Sequence, residues 1–267
     1  MKKQIVLLIL IIACAVLTVS CDKVDITGFV DSSDVDDRFE ACPSLPNKPD
    51  VEGVSADFSF IVISDPHVYH GSHSKLAALK DQLLPSDQFI LICGDVTQCG
   101  YKEDYHAFYN YLNGFGIPYY PTIGNHDLYF EGWRNYRDIL GRPCYTFTAG
   151  PARLIALDSA NGTLGGKQLN WLKQILKSKT EPLCFVFTHF DFFNPGFTDF
   201  EENLMLMSLF ENNNINYVFM GHTHEYHHKP VNGVNYVSVP GFEDEGAKNY
   251  LQVRVNGGKV TFEKLSI

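Results

Sequence analysis

Five times along the chain a short apolar run ends in a cluster of chemically active side chains, and this pattern constrains the fold more than any other feature. Phe58–Ile63 runs into Asp65-Pro66-His67, and Gln88–Cys93 into Gly94-Asp95. Pro118–Ile123 leads to Gly124-Asn125-His126-Asp127, Leu183–Thr188 to His189, and Tyr217–Met220 to Gly221-His222-Thr223-His224. Runs this short and apolar read as strands buried on both faces. Between them, Ser74–Leu84, Glu103–Gly114, Trp133–Leu140, Lys167–Lys177 and Phe200–Asn212 have helix-like spacing or composition. Strands alternating with helices predict an α/β domain, in which residues just past the carboxyl ends of the strands converge on one crevice. Five clusters far apart in sequence can therefore share one site.

The second half is richer in strands. Tyr145–Thr148, Arg153–Leu157, Val234–Val239, Tyr250–Val255 and Lys259–Lys264 add to the count, the last two forming a hairpin around Asn256-Gly257-Gly258. With 45% hydrophobic residues, including 20 Phe and 14 Tyr, a core for residues 57–267 is readily filled.

The chain before residue 57 reads differently. Residues 1–20 have a basic start (Lys2, Lys3), an apolar run from Ile5 to Val19 and a small residue, Ser20, before Cys21. This is the pattern of a secretory signal peptide. Thr18-Val19-Ser20-Cys21 also resembles the cleavage box of bacterial lipoproteins, which implies a lipidated Cys21 and a cell-envelope protein anchored to a membrane. Residues 21–56 contain Pro43, Pro46 and Pro49 and show no sustained periodicity, so they are expected to be an acidic tether. Ten acids against three bases between Asp22 and Asp57 supply more than half of the net charge of −10. The remaining charge argues against a broad nucleic-acid surface but permits a local positive site built from metals. Beyond Cys14 and Cys21 five cysteines remain, an odd number without CxxC zinc spacing.

Carboxylate, amide and imidazole groups without thiolate suit hard-to-borderline divalent or trivalent ions. Asp65-x-His67 and His222-x-His224 can each aim two side chains around a pair of ions, and Gly94, Gly124 and Gly221 let backbone approach closely. Two such ions can polarise a phosphate, generate a bound hydroxide and steady the leaving oxygen of an in-line displacement.

The order D-x-H, G-D, G-N-H-D, H, G-H-x-H over residues 65–224 resembles the calcineurin-like metallophosphoesterase superfamily. The resemblance implies an αββα sandwich of two mixed β-sheets flanked by helices. It also implies one metal held by Asp65, His67, Asp95 and His224, and a second held by Asp95, Asn125, His189 and His222, with Mn, Fe or Zn as the ions. His126 would serve the leaving group as general acid or transition-state donor, and Asp127 would orient it. Val96-Thr97-Gln98 lacks the Tyr that purple acid phosphatases carry there, and the Asp-x-His and Asn-His-Asp blocks are closer to the bacterial phosphodiesterase branch. Thr188-His189-Phe190-Asp191 departs from the frequent His-His-Pro form.

The expected activity is therefore phosphate-ester hydrolysis, phosphodiesters favoured, on a phosphorylated small molecule or lipid head group. The alternatives are a phosphomonoesterase and a non-catalytic scaffold of the same fold. His70, His73, His227 and His228 read as surface imidazoles. Tyr69, Tyr129, Phe130, Phe190, Phe192 and Phe193 read as core or rim packing, with stacking on a base or aryl group the other use of such rings.

Overall fold

Alternate residues of a strand face opposite sides, and in β1 (Phe58–Ile63) both sides are buried. Phe58, Phe60 and Val62 enter a core between two sheets, whereas Ile61 and Ile63 meet helices. The computed structural model describes residues 33–46, 48–194, 200–244 and 249–267. The leader and Cys21 lie outside the described residues.

The chain continues through α2 (Ser74–Leu79), following the N-terminal α1 (Val35–Ala41), and then β2 (Asp87–Cys93), α3 (Lys102–Asn113), β3 (Tyr119–Thr122), α4 (Gly132–Leu140) and β4 (Tyr145–Ala149). After these come β5 (Ala152–Ala156), α5 (Gly165–Ser178), β6 (Leu183–Phe187), α6 (Phe200–Asn212), β7 (Tyr217–Met220), β8 (His227–Val231), β9 (Val234–Ser238), β10 (Asn249–Asn256) and β11 (Lys259–Ser266). One sheet has the order β11-β10-β1-β2-β3 and the other β4-β5-β6-β7-β9-β8, each mixing parallel and antiparallel pairs. Phe60, Phe89, Phe147, Phe185 and Phe219 fill the space between the sheets. Leu79, Phe108 and Tyr136 from α2, α3 and α4 cover the first sheet, and Leu172, Leu206 and Phe210 from α5 and α6 cover the second. The architecture is the expected αββα sandwich.

Two elements escaped the sequence reading. The edge strand β8 is mostly exposed and has no apolar run to announce it. The described part of the acidic segment is folded against the domain rather than forming a free tether. Arg38 is fully buried, donating to Asp158 at 2.7 and 3.0 Å and to Asn161 at 2.6 Å. Further on, Val51 bridges Ala149 and Tyr120 donates to the Pro49 carbonyl at 2.8 Å. Two acids of this segment serve helix starts: Asp34, the N-cap of α1, accepts from the Asp37 N–H at 2.9 Å, and Asp36 accepts from the Lys167 N–H in the first turn of α5. A helix of seven residues is too short to show periodicity, and a buried Arg is its main anchor.

Candidate metal centre

The carboxyl ends of the two sheets meet at a seam. Phe242 N–H donates to the Ser64 carbonyl at 2.9 Å, and His189, after β6 of one sheet, reaches the Cys93 carbonyl of the other at 2.9 Å. All seven expected ligands lie here, in two groups. In the first, His224 Nε2 is 3.4 Å from Asp65 Oδ1 and 3.4 Å from His67 Nε2, which stands 3.6 Å from Asp95 Oδ2. In the second, His189 Nε2 is 3.3 Å from Asp95 Oδ2 and 2.9 Å from Asn125 Oδ1, and His222 Nδ1 is 3.1 Å from that same amide oxygen. Asp95 belongs to both.

Local backbone makes this convergence possible. Asp65, His67, Asp95, His222 and His224 all have left-handed φ, from 47° to 70°. Such conformations cost about 1–3 kcal/mol each and persist where surrounding structure enforces them; Asp and His tolerate them better than most residues. Gly124 and Gly221 are required for close approach: a Cβ would lie 2.1 Å from Asp95 Oδ1 at the first and 2.0 Å from Ser64 Oγ at the second.

The donor set fits cations. Donors each about 2.1 Å from a common ion stand about 3–3.5 Å apart, close to the spacing observed. Burial would raise both carboxylates, but His224 and His189 beside Asp65, and His189 and His126 beside Asp95, outweigh it and hold them below their ordinary range. Burial likewise opposes charge on the imidazoles. Asp95 and Asp65 overcome it at His189, raised to about 9, and Asp65 and Glu243 overcome it at His224, raised to about 11. Two buried carboxylates thus draw positive charge to this point, a demand that metal cations can meet. The buried His67 Nδ1 has no hydrogen-bond partner among the described residues, so that ring is held by what its Nε2 meets.

His126 lies at the edge of the cluster, its ring 4.6 Å from that of His67 and its Nδ1 2.9 Å from the Gln98 carbonyl. Asp127 differs from the expected orienter. Its carboxylate accepts from the N–H groups of Val96, Thr97 and Gly124 and from the Tyr105 hydroxyl at 2.9 Å, tying the loops after β2 and β3 together. Burial, and Asp95 nearby, raise this carboxyl to about 6 against those hydrogen bonds. Gln98, through its backbone, holds His126 instead.

Glu243 was not anticipated; it pairs with His224 Nδ1 from the loop after β9, where the acids that follow the Val234–Val239 run have no histidine or asparagine beside them to mark a ligand block. Among the histidines, His70 and His228 are exposed as expected, whereas His73 is buried and caps α2, accepting from the Leu76 N–H at 3.0 Å. His227 stands 3.1 Å from buried Asp191. Phe190 and Phe192 are core, while Tyr69 and Phe130 are exposed.

The family model of the calcineurin-like phosphoesterases matches residues 58–226, more than half of the chain, and the chain belongs to that family. A probable cyclic nucleotide phosphodiesterase of Synechococcus sp. is 29% identical over 111 residues, covering 39% of this chain and 43% of that protein. A probable glycerophosphodiester phosphodiesterase of Arcobacter nitrofigilis is 28% identical over 122 residues, covering 41% and 44%. The chain thus spans less than half the length of either relative. A purple acid phosphatase from yellow lupin seeds superposes with a TM-score of 0.65 at 14% identity, over 79% of this chain and 52% of that one, a likeness of fold.

Proposed function

We propose that the chain hydrolyses phosphate esters, diesters in preference to monoesters, at a two-metal centre held by Asp65, His67, Asp95, Asn125, His189, His222 and His224. The observation carrying this reading is Asp95 Oδ2, which stands 3.6 Å from a nitrogen of one donor group and 3.3 Å from a nitrogen of the other. Bound there, two cations would polarise the phosphoryl group and supply a nucleophile at neutral pH. With Nδ1 on the Gln98 carbonyl, His126 keeps Nε2 to give a proton to the departing oxygen. Asp127 keeps the Asn125-His126 loop in register with Asp95, whose Oδ1 accepts from the His126 N–H at 2.8 Å. The diester preference draws support from both curated relatives bearing phosphodiesterase names. An intact Asn125-His126 pair favours turnover over a scaffold role.

The same reading anchors the protein to a membrane through a lipidated Cys21, supported by Lys2, Lys3, the apolar run and Ser20-Cys21. Loss of labelled palmitate incorporation in Cys21→Ala would bear it out, and equal labelling would refute it. For the activity, bis(p-nitrophenyl) phosphate, p-nitrophenyl phosphate, cyclic nucleotides and glycerophosphodiesters are assayed with Mn²⁺ while metal is counted. Asp95→Asn should lower occupancy of both sites and Asn125→Ala mainly of one. A single tightly bound ion, indifferent to Asn125, His189 and His222, would sink the dinuclear reading.

A further inference from the structure

We infer that Tyr101 and Phe130, with Tyr69 on the neighbouring loop, form a stacking platform for a flat aromatic leaving group, an aryl or nucleobase moiety, on the His126 side of the centre. This rests on the phosphoesterase reading for its chemistry. The three rings are 37%, 42% and 44% exposed, unlike Phe190 and Phe192 near the same site, which are buried in the core. Tyr69, Tyr101 and Phe130 follow β1, β2 and β3, so each sits on a loop that also carries a residue of the centre: His67, Asp95 and His126. Their exposure therefore coincides with the site rather than being scattered over the surface.

Position and preorganisation point to the leaving group. Tyr101 and Phe130 already stack on one another, centroids 5.2 Å apart at 21°, and the loop carrying Tyr69 is bridged to the loop carrying Tyr101 at Val68 and Thr97. Tyr129, adjacent to Phe130, places its ring 4.9 Å from His126. His126 in turn contacts His67, so the order of contacts runs from ligand to proton donor to Tyr129, the residue that precedes Phe130 in the chain. Phe130 has φ 55°, a genuine outlier for a bulky residue and a mark of strain maintained at functional positions. The loops carrying the two rings are locked together: a Cβ at Gly100 would lie 2.3 Å from the Tyr129 carbonyl oxygen and 2.7 Å from the Gly132 Cα. Aromatic faces of fixed orientation reward a flat π-system over an aliphatic group of equal area.

The test compares phenylphosphonate with methylphosphonate, a matched pair that is not hydrolysed, by calorimetry on the Mn²⁺-loaded protein. Wild type should bind the phenyl compound about tenfold more tightly. Combining Tyr101→Ala with Phe130→Ala should erase most of that ratio, whereas Tyr109→Ala, an exposed ring on α3, should keep it. The ratio of kcat/KM for bis(p-nitrophenyl) phosphate over glycerophosphoethanolamine should fall in parallel. A binding ratio untouched by the double variant would overturn the platform. Absence of turnover on every ester, with the binding ratio still sensitive to the double variant, would refute the hydrolase reading and leave the platform standing.

Discussion

Glu243 pairs with the Nδ1 edge of His224, whose Nε2 stands 3.4 Å from Asp65 Oδ1, so the ring is held from the side away from the donor cluster. Carboxylates in this position fix the tautomer and raise the basicity of an imidazole ligand, and losing them typically reduces metal affinity about 10–100-fold. Glu243→Gln should therefore weaken the site containing His224, leaving the one containing Asn125 and His222 nearer to wild type. Mn²⁺ titration with elemental analysis reads this directly. Unchanged affinity at both sites would show that the pair is merely a surface contact.

What the sequence revealed and what it hid divide along one physical line. Gly124-Asn125-His126-Asp127 and Gly221-His222-Thr223-His224 are legible because each follows a strand whose apolar residues are buried on both faces, and strand ends in such a domain converge. Glu243, the Gln98 carbonyl and the anchoring role of Arg38 are invisible, because each acts through tertiary contacts across long sequence separations, 120 residues for Arg38 and Asp158. Asp127 shows the intermediate case. Its place in the motif was legible, but its partners, Tyr105 and the Val96 and Thr97 N–H groups, emerge only from the fold.

Arg38 supplies a stability prediction. Its guanidinium and the Asp158 carboxylate are both buried, so removing one leaves the other without compensation, an effect typically of about 3–5 kcal/mol. Arg38→Met should lower the unfolding free energy obtained from urea titration by that amount, and Arg38→Met with Asp158→Asn should recover part of the loss. A change below about 1 kcal/mol would mean that α1 contributes little to domain stability.

Lys48 supplies a pH dependence. Burial lowers its ammonium to about 8 from the ordinary value of 10.5, with the rings of Tyr119 and Tyr145 about 6 Å away. The folded pKa lies below the unfolded one, so the unfolded state binds more protons between them. Stability therefore rises with pH from about 8 to about 10.5, and below pH 8 the full penalty of the charged form is present. Lys48→Met should raise stability at pH 7 by an amount on the order of 2 kcal/mol, and the gap from wild type should close as pH approaches 10. Thermal melts of the two proteins at both pH values decide it; a gap independent of pH would assign the effect to packing instead.

His126 should act on the leaving group rather than hold metal. Its Nδ1 is committed to the Gln98 carbonyl, and its ring borders the cluster at His67 while touching Tyr129 on the outer side. As the ester bond breaks, negative charge builds on the departing oxygen, and a nearby imidazolium that protonates or stabilises it contributes about 10²–10⁴-fold. That contribution shrinks as the leaving group becomes more acidic, because a phenolate needs less help than an alkoxide. His126→Ala should therefore keep its metal, lose a large part of kcat on an alkyl phosphoester and lose much less on a p-nitrophenyl ester. Steady-state kinetics on matched alkyl and aryl substrates, alongside metal counts, separate the possibilities. Equal losses on both with metal intact would make His126 a substrate-positioning residue, and loss of metal would move it into the ligand set, where its nitrogen already lies within 4.8 Å of donor atoms of His67 and Asp95.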